Sequence, residues 1–248
     1  MKTKMAGFVR TFFLSAWVIS MAACGKGICL QGTGEVTTET RAVTPFNEID
    51  LYNRVNVILT QDTVNTIQVE AGRHLLSGIE TSVINNVLTI ANNNTCNWAR
   101  DLDTRINVYI HTNSLQKINY YGSGDVTSSN TLQAEKFTID SWEGVGSFKL
   151  NLDVQFCDVT LRKNNADVTL AGACDSAYVY CGDQGKADLR NLLCKYVYID
   201  HKGIYDTYVY ASEWLYANVL YKGNIYYRGK PSTKEAVCTN SGQMISIP

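Results

Sequence analysis

Gly122-Ser123-Gly124-Asp125-Val126 lies at the middle of the chain. It admits three readings: a phosphate-cradling loop, a calcium ligand or a turn. A phosphate loop occurs once, ahead of a helix. This stretch instead recurs in degenerate form. Copies stand at Gly144-Val145-Gly146-Ser147-Phe148, Asn164-Asn165-Ala166-Asp167-Val168, Gly185-Lys186-Ala187-Asp188-Leu189 and Gly203-Ile204-Tyr205-Asp206-Thr207, with a partial one at Lys222-Gly223-Asn224-Ile225. The last residue of each falls at 126, 148, 168, 189, 207 and 225, a period of about twenty residues, which is the mark of a solenoid or array. The stretch is therefore a repeated turn. Its glycines are expected to supply left-handed backbone, and its Asp or Asn to hydrogen-bond the neighbouring backbone.

Between the turns each repeat carries two short alternating segments, such as Asp167-Val168-Thr169-Leu170 and Tyr178-Val179-Tyr180-Cys181. Alternation sends Val168, Leu170, Val179 and Cys181 inward. One such unit cannot bury its apolar side alone, whereas stacked units bury a continuous core. The expected fold is all-β: a right-handed parallel β-helix over residues 120–248, preceded by an N-terminal β-strand section over 42–119. In that section Asn47 to Leu51, Val55 to Leu59, Thr66 to Ala71, Glu80 to Ile84, Val87 to Ala91 and Arg105 to His111 read as strands. Asn85-Asn86 is a hairpin turn, and His74 to Ile79 a short helical turn. Asn92 to Asp103, with Cys96 and Trp98, reads as an exposed polar loop.

The first residues carry an address. Lys2, Lys4 and Arg10 precede an apolar run, Phe12 to Ile19, and then Met21-Ala22-Ala23-Cys24. This is a secretory layout, too short to span a bilayer with ordinary flanks. Its small-small-Cys ending resembles a bacterial lipobox, which implies cleavage before Cys24 and acylation of its thiol. Residues 1–23 are thus expected to be a lipoprotein signal peptide, and 24–41 a lipidated cysteine with a flexible tether. The membrane is then a partner through the lipid anchor, since two or three acyl chains hold a protein durably. The net charge of -1, without runs of Lys or Arg, speaks against nucleic acid as a partner.

The Phe46-x-x-Ile49 opening, Leu75-Leu76 before Ile79, Ser114-Leu115-x-x-Ile118, the Gly122 to Val126 turn and the closing Gly223-Asn224-Ile225-Tyr226-Tyr227-Arg228-Gly229-Lys230-Pro231 resemble one family. It is the putative auto-transporter adhesin, head GIN domain family, and the resemblance runs from about Phe46 to Pro231. It implies an exported, often lipid-anchored β-solenoid of Gram-negative bacteria that is adhesin-like, and it implies no catalytic residues. The chain departs from the family in its degenerate turns and in its richness in Cys and Tyr.

Candidate chemistry is sparse. A polysaccharide-degrading lyase or hydrolase on a β-helix is the alternative function, because such enzymes pair carboxyl groups roughly 5 to 9.5 Å apart. Asp125, Asp167, Asp188 and Asp206 stand in turn positions that Asp fills for structural reasons, so no catalytic residue is assigned. There is no Gly-x-Ser-x-Gly elbow. His111 and His201 read as surface polar residues. No CxxC pair or common zinc spacing exists, and neither a metal nor a cofactor is expected. The seven cysteines after Cys24 point to buried free thiols and one or two bridges. Cys174 and Cys194, one repeat apart, are expected inward, reduced and stacked.

The remaining feature is tyrosine. Tyr178, Tyr196 and Tyr216 recur at the repeat spacing, with Tyr180 and Tyr198 two positions along. They are expected to form an exposed ladder on the outer face, the candidate site for a glycan or for an envelope or host protein. A smaller ladder is expected at Arg190, Tyr208 and Tyr226. The function expected is therefore an adhesin-like binding or scaffold module of the cell envelope. For the anchor, Cys24→Ala should release the protein from membranes or leave it uncut. A mature N-terminus carrying no lipid in mass spectrometry would contradict it.

Overall fold

The computed structural model describes residues 32–95, 105–163 and 165–248. The signal segment, Cys24, Cys29, the Asn164 turn residue, and Cys96 and Trp98 of the polar loop lie outside the described residues. About 70% of the described residues are strand, and none of them is in an α-helix. The strands form a β-solenoid of about 6 turns.

β1 (Val36–Ala42), β2 (Glu48–Asn53), β3 (Asn56–Gln61) and β4 (Thr66–Gly72) come first. After a 3-10 turn at Leu76–Gly78 follow β5 (Ile79–Ile84), β6 (Val87–Asn92), β7 (Asn107–Thr112) and β8 (Lys117–Gly122). Five long strands make the body: β9 (Asp125–Trp142), β10 (Ser147–Arg162), β11 (Asp167–Asp183), β12 (Lys186–Gly203) and β13 (Thr207–Val219). β14 (Ile225–Arg228), β15 (Thr233–Cys238) and β16 (Met244–Ser246) close the stack. The hairpin at Asn85-Asn86 is present, both residues left-handed at φ 52° and 65°. Val36–Ala42, all but its last residue expected within the flexible tether, is instead a strand paired antiparallel to β4.

Each long strand serves two faces. Its first half pairs in the line β1-β4-β7-β3-β9-β10-β11-β12-β13-β14-β16. Its second half pairs in a line that starts with β5, β6, β2 and β8 and ends at β15. Between the halves the chain bends, with register shifts at Lys149/Asn151, Thr169/Ala171 and Leu189/Cys194. Gly172 occupies this bend at φ +114°, where any side chain would run into the Leu152 carbonyl. All pairs in the body are parallel, and the antiparallel ones gather at the N-terminal end. The N-terminal section shares the same sheet, since Val57 is in register with Val126 and Ile118 with Ile139.

The core is a set of columns along the stack. Ile118, Ile139, Val159, Val179, Ile199 and Ala217 form one, all at most 1% exposed. Each buried aliphatic chain contributes roughly 1.5–3 kcal/mol, but only when the next coil covers it. The opening column is Val126, Phe148, Val168 and Ala187. Ala187, not Leu189, is therefore the anchor of its repeat. The turn before it is two residues shorter than the motif alignment implies, so Asp188 falls on the outer row with Thr169 and Tyr208.

The turns work differently from expectation. Gly122, Gly124, Gly144 and Gly146 do not have left-handed backbone. They are needed because neighbouring coils touch there. A Cβ on Gly146 would run into the Tyr120 hydroxyl and the Gly124 carbonyl, and one on Gly124 into the Val55 carbonyl. Tyr120 is buried, and its hydroxyl donates to the Gly124 carbonyl at 2.6 Å. The left-handed positions fall on Asn53, Glu143, Lys163 and Asp183. The Asp and Asn side chains reach between coils rather than along their own: Asn56 Oδ1 accepts from Asp125 N, Asp125 from Ser147 Oγ, and Asp206 from Asn224 N.

His201 is a second correction. Expected at the surface, it is fully buried, because alternation from Val197 and Ile199 carries it inward in register with Cys181 and Val219. Its Nδ1 lies 3.5 Å from the Thr207 hydroxyl, and burial lowers its pKa. His111 is half-buried and paired with Asp62 at 3.1 Å. The five described cysteines are all free, so no bridge exists among the described residues, and four of them are buried. Cys174 and Cys194 are in register and inward, as expected.

Two outcomes follow from this packing. Gly146→Ala should destabilise by about 3 kcal/mol or more, whereas Glu143→Gly, which relieves a left-handed side chain, should stabilise by about 1 kcal/mol. Thermal denaturation distinguishes them. For His201 the folded pKa lies below that of the unfolded chain. As pH falls below about 6.5, the unfolded chain binds a proton that the folded chain does not, and stability drops. Above that range the His201 contribution is constant. Denaturant melts from about pH 7.5 to 5 should show this slope in the wild type and a shallower one in His201→Leu.

Candidate functional site

The candidate site lies on the outer side of the second face, where β11, β12 and β13 run side by side. Val179, Val197 and Ala217 point into the core, so their neighbours point out, as alternation requires. Register then decides which outer residues meet. Tyr178 pairs with Tyr198, and Tyr198 with Tyr216. The ring centroids are 5.7 and 5.1 Å apart, with planes 31° and 17° from parallel. Ring carbons in contact lie about 3.5–4.0 Å apart, so rings at these spacings are slipped and overlap like tiles, each half-exposed.

The ladder is thus Tyr178–Tyr198–Tyr216, not Tyr178–Tyr196–Tyr216. Tyr196 lies one column over, in register with Ser176 and Trp214. The coils are unequal in length, so a spacing of eighteen residues joins Tyr198 to Tyr216 but does not join Tyr178 to Tyr196. Tyr196 is 43% exposed, and its hydroxyl donates to Glu213 at 2.6 Å. Trp214 extends the aromatic surface, 5.9 Å from Tyr216 and nearly parallel to it.

On the ladder's other side is a polar column, Tyr180, Asp200 and Asn218. Asn218 Nδ2 donates to Asp200 Oδ1 at 2.7 Å and to the Tyr198 hydroxyl at 3.1 Å, and the Tyr178 hydroxyl donates to Asp200 Oδ2 at 3.4 Å. Partial burial, and after it the Asp200 charge, raise the Tyr178 and Tyr198 pKa values. These phenols therefore stay protonated. The face offers tilted rings flanked by hydroxyl, carboxylate and amide groups.

The opposite face carries the smaller ladder. Tyr208 and Tyr226 stack at 5.1 Å and 15°, and the Arg190 guanidinium covers Tyr208 at 3.9 Å while its Nε bonds Asp188 at 2.8 Å. A third aromatic group, unanticipated, lies near the turns: Tyr52 and Tyr121 stack at 4.9 Å and 11°, and Trp142 stands exposed with Arg162 and Lys163 over its ring. Tyr121 directly precedes one turn motif and Trp142 stands two residues before the next, and this placement was the available signal. The turn carboxylates have structural partners: Ser147 for Asp125, Lys186 for Asp167, Arg190 for Asp188 and Asn224 for Asp206. Among the described residues no three His, Cys, Asp or Glu side chains gather in a way that would hold a metal ion.

The architecture is that of a repeat-built, two-faced β-solenoid with aromatic ladders on its outer surfaces. The chain belongs to the putative auto-transporter adhesin, head GIN domain family, whose model matches residues 45–231. It resembles the crystal structure of a putative adhesin from Bacteroides fragilis NCTC 9343, with 25% identity and a TM-score of 0.81, over 88% of this chain and 100% of that one. A putative adhesin from Parabacteroides distasonis ATCC 8503 shares the fold at 20% identity and a TM-score of 0.63, over 86% and 98% of the two chains. So does a putative lipid binding protein from the same strain, at 18% identity and 0.59, over 87% and 98%. No curated protein matches the chain. The relationship is that of an adhesin-like protein of the cell envelope or surface.

Proposed function

We propose that this chain is a cell-envelope lipoprotein, anchored through Cys24, whose outer tyrosine face binds a glycan. The carrying observation is the half-exposed Tyr178–Tyr198–Tyr216 ladder beside Asp200 and Asn218. Slipped rings give a sugar its apolar contact at low entropy cost, because a tyrosine side chain has few torsions to immobilise. The adjoining phenol, carboxylate and amide groups match sugar hydroxyls as donors and acceptors. Tyr180 and Tyr196 border the ladder on its two sides and complete the site.

The adhesin character of the family and of its structural neighbours supports binding without catalysis. The turn aspartates point the same way, since each has a structural partner. A polysaccharide-degrading role would need a pair of carboxyl groups free to act on the sugar.

A glycan array probed with the purified domain should give a defined set of ligands. In titration calorimetry with one of them, Tyr198→Ala/Tyr216→Ala should weaken binding about tenfold or more, the loss of roughly 1.4 kcal/mol of ring contact. Tyr208→Ala, on the opposite face, should leave it unchanged. Equal losses from both variants, or none from either, would refute the assignment.

A further inference from the structure

One row nearer the turns, beside the tyrosine face, runs a second line of outward side chains. Tyr52 pairs with Tyr121, Trp142 with Arg162, and Gly182 with Lys202. Tyr121 and Trp142 each follow a residue of the Tyr120–Ser141 pair, and Arg162 and Gly182 follow the Leu161–Cys181 pair. The row therefore reads Tyr52, Tyr121, Trp142, Arg162, Gly182, Lys202, a length of about 24 Å at about 4.8 Å per strand.

Gly182 is the odd member. The other glycines near it in the turns, Gly122, Gly124, Gly144 and Gly146, are required because a Cβ would collide with backbone or with Tyr120. Gly182 lies inside β11 with ordinary backbone, and an added Cβ would come no nearer than 3.2 Å to the Leu161 carbonyl and 3.4 Å to the Tyr180 ring. The Tyr180 ring lies beside it, and the glycine is buried.

Next to Gly182, at Asp183 and at its partner Lys202, opens a groove of about 440 Å³. Lys163 and Lys202 line it, together with the Asn165 and Gln184 amides, the Asp183 carboxylate and the apolar surfaces of Ile204 and Tyr221. Among the described residues neither lysine has a carboxylate within ion-pair distance. Their ammonium groups instead lie over rings, Lys163 at 5.7 Å from Trp142 and Lys202 at 5.6 Å from Tyr180. Arg162, between them and Trp142, is neutralised by Asp140 at 3.7 Å. Lys163 also holds a left-handed backbone at φ 46°.

We propose that this groove binds a uronate unit of a linear acidic polysaccharide. The sugar carboxylate faces the two lysines, and the pyranose ring lies on Tyr221 and Ile204. The amides and Asp183 take its hydroxyls, and the following units run along Trp142, Tyr121 and Tyr52. A compact phosphate would use the lysines but leave the aromatic row idle, so the row favours a polymer. This deepens the glycan-binding reading of the outer face and rests on it.

The test titrates the purified domain with polygalacturonate, with dextran as a neutral polymer and with polyphosphate as a non-sugar polyanion. Polygalacturonate should bind most tightly and weaken as NaCl rises. Lys163→Gln/Lys202→Gln should lower its affinity at least tenfold, and Tyr221→Ala, which removes the ring under the pyranose, should weaken it as well. Cooperative melting confirms that each variant is folded. Equal affinity for dextran, preference for polyphosphate, or an unaffected lysine variant would each overturn the proposal. Loss of polygalacturonate binding only in Tyr198→Ala/Tyr216→Ala would sink the groove and leave the tyrosine face standing. Loss only in the groove variants would do the reverse.

Discussion

The side chains that a coil of this molecule turns inward are covered by the coils next to it. In the column Ile118, Ile139, Val159, Val179, Ile199 and Ala217, each residue meets its equivalent one strand above and below. Stability in such a stack is a sum of nearest-neighbour contacts, with no central core to serve distant parts. In-register contact is therefore the constraint on which the rest depends, and it explains why the N-terminal strands join the same sheet. β2 and β3 present Ile49, Leu51, Val57 and Leu59 in the same alternation, so they serve as the first layers on which β8 and β9 are laid.

The turns must then be flat enough for coils to approach at strand spacing. At Gly124 and Gly146 the backbones come so close that no side chain fits, and Tyr120 fills the interior beside them with its hydroxyl tied to the Gly124 carbonyl. Asp and Asn at the turn exits stitch one coil to the next through backbone and hydroxyl donors. The same residues that look like ligands in sequence are thus fastenings between layers. His201 shows the cost of this inward discipline: the alternation that buries Ile199 also buries an ionisable ring.

The outer surface is free of the packing constraint, and there the composition varies along the stack. Outer positions run from Lys117, Thr138 and Asp158 to Tyr178, Tyr198 and Tyr216 within one column. Stacked tyrosines stabilise neighbouring coils through ring contact, and this is a structural gain in its own right. The Tyr178 and Tyr198 hydroxyls, however, join a network with Asp200 and Asn218. Lys163 and Lys202 line a groove near the turns alongside it, so apolar, neutral polar and cationic surface lie close together.

The all-β class, the repeat of about twenty residues, the Asn85-Asn86 hairpin and the inward set Val168, Leu170, Val179 and Cys181 were legible in the sequence. Local alternation and turn chemistry are enough to specify them. Alternation says which side of a strand a residue occupies, and this is why the outward direction of Tyr178, Tyr196 and Tyr216 was also readable. It says nothing about which residue lies beside it on the next coil. That depends on the number of residues in each turn and on the register shifts at the bend near Gly172, and these set Ala187 in place of Leu189 and Tyr198 in place of Tyr196. The fate of His201 and the alignment of Tyr52 with Tyr121, like that of Trp142 with Arg162, were likewise decided by tertiary structure, because the partners are a coil or more apart in sequence and meet only when the layers close.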